Sequence, residues 1–150
     1  MAESRFLYVT YIRAPAQAIW DHLTSPDLNK QFWHGYSQKS TWAKGADYAI
    51  VSGDGEAWDT GKVVDFDPPK HIAVTWTHQK DAAMKAEGES VATFDIEPVN
   101  DRVTKLTVTH TIGVSPSKFI EAVSSGWPSI LANLKSLLET GSALEEWAAG

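Results

Sequence analysis

The stretch GWPSILANLKSLLETG, residues 126–141, decides how this 150-residue chain is read. Extended back to residue 120, it sets Ile120, Val123, Trp127, Leu131, Leu134 and Leu138 at spacings of 3, 4, 4, 3 and 4. That is the period of one helix face, and Ile130 and Leu137 widen the stripe. Ser115 and Pro116 are read as its cap and first helical position, and Gly141 stands where a left-handed C-terminal cap belongs. Pro128 removes the N–H that would bond the carbonyl of residue 124 and crowds that carbonyl. A kink is therefore expected rather than a stop, with Gly126 leaving room for it. A stripe this wide needs a second layer to cover it.

The preceding sequence supplies that layer. Residues 6–13 (FLYVTYIR) are β-branched and aromatic, and read as a strand. Pro15 then suits the first turn of a helix, with Ile19, Trp20 and Leu23 as its apolar stripe. Ser25, Pro26 and Asp27 start a second short helix, expected to close near Trp33, before Gly35. Six strand-like runs follow at 36–43, 47–52, 58–66, 71–78, 90–97 and 103–112, separated by Gly, Asp, Asn and Pro. The run 71–78 is the clearest, since Ile72, Val74, Trp76 and His78 share one face. The segment QKDAAMKAEGE is read as a polar loop. Consecutive strands with short connections pair as an antiparallel meander, which twists and curls, and the long helix covers its apolar face. The expected class is α+β: a curved antiparallel sheet of about seven strands, two short helices after the first strand, and a long C-terminal helix across the sheet. Space between such a helix and a curled sheet is where a ligand would sit.

Three segments carry a family resemblance: YIRAPAQAIWDHLTSPDLNKQFW, GKVVDFDPPKHIAVTW and GWPSILANLKSLLETG. Together they resemble the Aha1-like family, homologues of the C-terminal domain of the activator of the heat-shock protein 90 ATPase, within the START/Bet v 1-like helix-grip superfamily. The likeness runs over about 6–141, so one domain spanning 1–150 with a short tail at 142–150 is expected. It implies a deep cavity between the last helix and the sheet. Trp127, Leu131 and Leu134 would line it from the helix, Trp76 from its strand, and Trp20 and Trp33 would stand near the mouth. The superfamily includes lipid carriers, antibiotic-sequestering proteins, polyketide cyclases and co-chaperones, so fold alone does not select a function. The eukaryotic activators also carry a separate chaperone-binding domain, for which this chain leaves no room.

Composition narrows the classes. A formal net charge of −6 with no basic cluster argues against nucleic acid, whose phosphates need a basic face. Zero cysteines exclude disulfides and thiolate chemistry. The apolar runs are too short for a membrane helix, and the opening MAESRFLYVT lacks the layout of a secretory signal, so a cytoplasmic protein is expected. Seven tryptophans are the unusual feature: each buries a large area and carries an N–H that wants a partner.

The chemical motifs are sparse. In VSGDGEAWDTGK, five residues separate Gly55 from Gly61 where a phosphate loop has four, and Val63 follows Lys62 in place of Ser or Thr. A hairpin loop explains it. The five histidines form no HExxH or close His-x-His pair, so no metal or other cofactor is expected. His78 and His110 sit on apolar strand faces, where each could satisfy a neighbour, orient a ligand oxygen or serve as a base. No G-x-S-x-G elbow is present. Asp65, Asp67, Asp95 and Glu97 read as solvated strand carboxylates, and Trp147 as folding back or meeting a partner.

The first expectation is a binding module, monomeric or homodimeric, enclosing a small hydrophobic or aromatic molecule without catalysis. Its cavity residues would be Trp20, Trp33, Tyr48, Trp58, Val64, Trp76, His78, Phe94, His110, Trp127, Ile130, Leu131 and Leu134. A cyclase- or hydrolase-like enzyme using a cavity histidine comes second. A co-chaperone-like activator, with a chaperone partner and a stress-response role, comes third.

Overall fold

A computed structural model describes residues 3–144. The order is β1 (Ser4–Ile12), α1 (Ala16–Thr24), α2 (Pro26–Asn29), β2 (Ser37–Ser40), β3 (Asp47–Val51), β4 (Ala57–Asp67), β5 (His71–His78), α3 (Ala82–Ala86), β6 (Ser90–Pro98), β7 (Thr104–Ile112) and α4 (Lys118–Thr140). One seven-stranded sheet runs β1-β7-β6-β5-β4-β3-β2, antiparallel throughout. Strands β2 to β7 form the expected meander. The two short helices carry the chain from β1 at one edge to β2 at the other. β7 alternates strictly and β6 does so as far as Ile96, and Leu106, Val108 and His110 are fully buried on one face. That face meets the α4 stripe, whose Ile120, Trp127, Ile130, Leu131 and Leu134 are all buried.

Three local expectations are corrected. The helix does not start at Ser115–Pro116, a cis bond lying outside it. Its cap is Ser117, whose Oγ accepts from the Ile120 N–H at 3.0 Å. The loop after β5 contains a helical turn, α3, because the Asp81 carboxylate accepts from the Met84 N–H and nucleates it. α2 ends at Asn29, and the residues up to Gly35 form turns, with His34 and Gly35 both left-handed (φ 53° and 79°). Pro128 lies within α4, which continues to Thr140 and closes on Gly141 at φ 90°. Trp147 lies outside the described residues.

β4 and β5 approach unusually closely at Gly61. A Cβ there would lie 1.8 Å from the Thr75 carbonyl oxygen, and the pairing register shifts just beyond, between Val63 and Asp65. Only hydrogen fits. Gly61→Ala must push the strands apart, and a loss of about 3 kcal/mol is expected, read from the urea midpoint.

A buried polar network ties the helices to the short strands. Asn29 Nδ2 donates to the Leu23 carbonyl at 3.2 Å, and Asn29 Oδ1 accepts from the Gln38 N–H at 2.7 Å. Gln38 Nε2 donates to the same Leu23 carbonyl at 2.8 Å, while its Oε1 accepts from the Tyr48 hydroxyl. Burial is the main cause that pushes the Tyr48 phenol well above its ordinary value, so it stays a donor. Tyr48→Phe strands a buried amide oxygen and should cost about 1–3 kcal/mol in equilibrium unfolding.

Candidate functional site

The space gripped by helix and sheet is largely filled. Trp127 is 1% exposed. Its ring centroid lies 5.2 Å from that of Trp33, 5.6 Å from Trp76 and 5.7 Å from Phe94. These tilted and edge-on contacts are the geometries that aromatic quadrupoles favour. Trp127 on α4 and Trp76 on β5 therefore face each other across the grip.

His110 is bound into this cluster by a chain of hydrogen bonds. An indole N–H can only donate, so the 3.1 Å contact from Trp127 Nε1 makes His110 Nδ1 an acceptor. The ring proton then sits on Nε2 and donates to Ser90 Oγ at 2.8 Å, and that hydroxyl donates to the Trp76 carbonyl at 3.1 Å. Both ring nitrogens are used, and the residue is fully buried. Burial holds its pKa down at about 3. His110 is a structural neutral imidazole and is not placed to act as a base.

Beyond this cluster, towards the open end of the grip, lies a pocket of about 240 Å³. Trp33, Trp58, Trp76, Trp127, Phe119 and Ile130 form its walls. Ala122, Val123 and Gly126 of α4 and Met84 of α3 border it, and His34 and Tyr36 stand on the side of the α2–β2 turn. His34 Nε2 contacts Ser129 Oγ at 3.0 Å, joining that turn to α4. Within these apolar walls sits one ionisable pair, Asp59 and His78. They are partners in the β4–β5 register, with Oδ1 and Nδ1 2.9 Å apart and side chains 10% and 12% exposed. Burial raises the Asp59 pKa, and the bond and charge of His78 oppose that rise. The Trp58 indole N–H is buried and has no hydrogen-bond partner among the described residues.

Six of the residues proposed from sequence therefore border the pocket: Trp33, Trp58, Trp76, His78, Trp127 and Ile130. Tyr48, Phe94, His110, Leu131 and Leu134 are buried core residues behind it. Trp20, expected at the mouth, instead packs on Phe66 with ring centroids 5.1 Å apart, because α1 docks on β6 and β2, and it does not border the pocket. Val64, expected to face the cavity, is 40% exposed, while Val63 is fully buried. Strand alternation allows only one of two consecutive residues inside, and the bulge beyond Val63 brings Phe66 back to the core side. Asp59, Tyr36, Phe119 and Met84 were not anticipated. Asp59 had one legible signal: counting the 58–66 and 71–78 runs as a hairpin sets it opposite His78.

Fold and site define a helix-grip protein, an α+β shell around an aromatic core with one small opening. The chain belongs to the activator of Hsp90 ATPase homolog 1-like family, whose model matches residues 13–139. A crystal structure of a protein from Mesorhizobium loti is similar at 24% identity and TM-score 0.75, covering 91% of this chain and 97% of that one. The Aha1 dimer from Colwellia psychrerythraea is 21% identical at TM-score 0.70, covering 92% and 98%. An HSP90 activator from Plasmodium falciparum is 17% identical at TM-score 0.71, covering 90% and 96%. At these identities the likeness is one of fold. No curated protein matches the sequence. No helix among the described residues is long and apolar enough to cross a membrane.

Proposed function

We propose that the protein binds one small apolar or aromatic molecule in the pocket between α4 and the β4–β5 hairpin, as a binding module of the cytoplasm. The pocket itself carries this reading: about 240 Å³ of space, aromatic on most sides, with the Asp59–His78 pair set in its wall. An apolar cavity of about 150 Å³ suffices for benzene, so this one suits a molecule of one or two rings. Isothermal titration of the full chain with 2-methylnaphthalene tests it, alongside Ala122→Trp. Ala122 is exposed on α4 at the pocket border, so a larger side chain there obstructs the opening without entering the core. Binding by the wild type and at least about a ten-fold loss in the variant are expected. Absence of wild-type binding to any one- or two-ring aromatic would refute the reading.

Family membership favours a second reading, a surface contact with an Hsp90-type chaperone, since two neighbours are named for that activity or that activator. Its test is stimulation of a purified Hsp90 ATPase by this chain, with light scattering to determine whether the active form is a monomer or a homodimer. Stimulation that persists in Ala122→Trp would place that activity outside the pocket.

A further inference from the structure

We propose, building on the pocket reading above, that the ligand is a hydroxylated aromatic whose hydroxyl donates a hydrogen bond to Nε2 of His78. The geometry begins at Asp59. A carboxylate only accepts, so its 2.9 Å contact requires the His78 proton on Nδ1. In the neutral imidazole Nε2 is then an acceptor, and no hydrogen bond to it is made among the described residues. The backbone holds the arrangement rigidly, because Asp59 and His78 are direct partners on paired strands. His78 is packed between Trp58 and Phe119, with ring centroids 6.4 Å and 6.3 Å away.

The pocket therefore presents an unmet acceptor at His78. A hydroxyl is the smallest neutral group that answers it, donating one proton. Its ring belongs against the tryptophan faces, where aromatic contact adds to simple burial. A cationic ligand fits less well. Asp59 is the only carboxylate bordering the pocket among the described residues, and its Oδ1 is already engaged by His78. Discrimination of this kind is strong in a buried site, because an analogue lacking the group leaves the protein's own polar atoms unpaired.

Three probes of nearly equal size separate the possibilities: 2-naphthol, 2-methoxynaphthalene, which keeps the oxygen but cannot donate, and 2-methylnaphthalene. Calorimetric titration of the wild-type chain should give about ten-fold tighter binding for 2-naphthol than for either analogue. Hydrophobicity alone would order them the other way. In the double variant Asp59→Asn/His78→Phe the ring at 78 is kept and no carboxylate is stranded. There the naphthol advantage should vanish, the affinities for 2-naphthol and 2-methylnaphthalene coming within about two-fold of each other. Equal affinities in the wild type, methoxy binding as tight as naphthol, or an advantage surviving in the double variant would each overturn the inference. If the double variant does not fold, the three-probe comparison on the wild type decides alone. Failure of all three probes would instead sink the pocket reading, whereas 2-methylnaphthalene bound as tightly as 2-naphthol sinks only the hydroxyl.

Discussion

Trp127→Ala should lower the unfolding free energy by about 3–5 kcal/mol, the largest effect expected of a single side chain in this protein. The indole is 1% exposed and in contact with the rings of Trp33, Trp76, Phe94 and His110. Its removal opens a cavity that a sheet on one side and a helix on the other cannot easily close. Urea unfolding followed by far-ultraviolet circular dichroism measures the loss without relying on tryptophan emission. Trp127→Phe separates the components. It keeps much of the packing but deprives His110 Nδ1 of its donor, so about 1–3 kcal/mol should still be lost. A Trp127→Ala midpoint within error of wild type would mean that the cluster around this residue does not hold the helix to the sheet.

Acid should destabilise the protein through His110. Its folded pKa of about 3 lies below the ordinary histidine value of 6.5, so the unfolded chain takes up the proton first. The contribution is fully present above pH 6.5 and declines as pH falls towards 3, at about 1.4 kcal/mol per unit. The accumulated loss at the bottom of that window is about 4–5 kcal/mol. Other groups also respond: carboxylates held below their usual range, such as Glu87 by its bonds from the Ser117 hydroxyl and the N–H groups of Lys118 and Phe119, lose their contribution as pH falls below the ordinary carboxylate value. His110→Gln isolates the histidine. Glutamine can accept from Trp127 and donate to Ser90 without titrating, so its stability should stay nearly flat between pH 6.5 and 4.5 while wild type falls. Identical slopes for the two proteins would remove His110 from the account.

Both effects concern residues whose buried positions followed from periodicity. Trp127 lies on the helix stripe and His110 on the apolar face of 103–112, and each was read towards the sheet–helix interface. What periodicity left open was their occupation. A tryptophan on an inward face can border an empty cavity or fill it, and a histidine there can be a base or a strut. Those outcomes depend on which side chains arrive from strands and helices far away in sequence. Here Trp33, Trp76 and Phe94 converge on Trp127 and close most of the expected cavity, leaving a pocket only at its end.

The sequence by itself determined the α+β class, the order of strands and long helix, the inward face of α4, β5 and β7, and the family, because each depends on local period, turn chemistry or ordered motifs. Tertiary structure alone decided the rest. Pairing of β4 with β5 placed Asp59 against His78, alternation with the buried Val63 turned Val64 outward, and docking of α1 drew Trp20 to Phe66 and away from the mouth. The physical reason is common to all three. A strand's alternation is known from sequence only until a bulge or a register shift resets it, and a hydrogen bond between neighbouring strands exists only once their register is set.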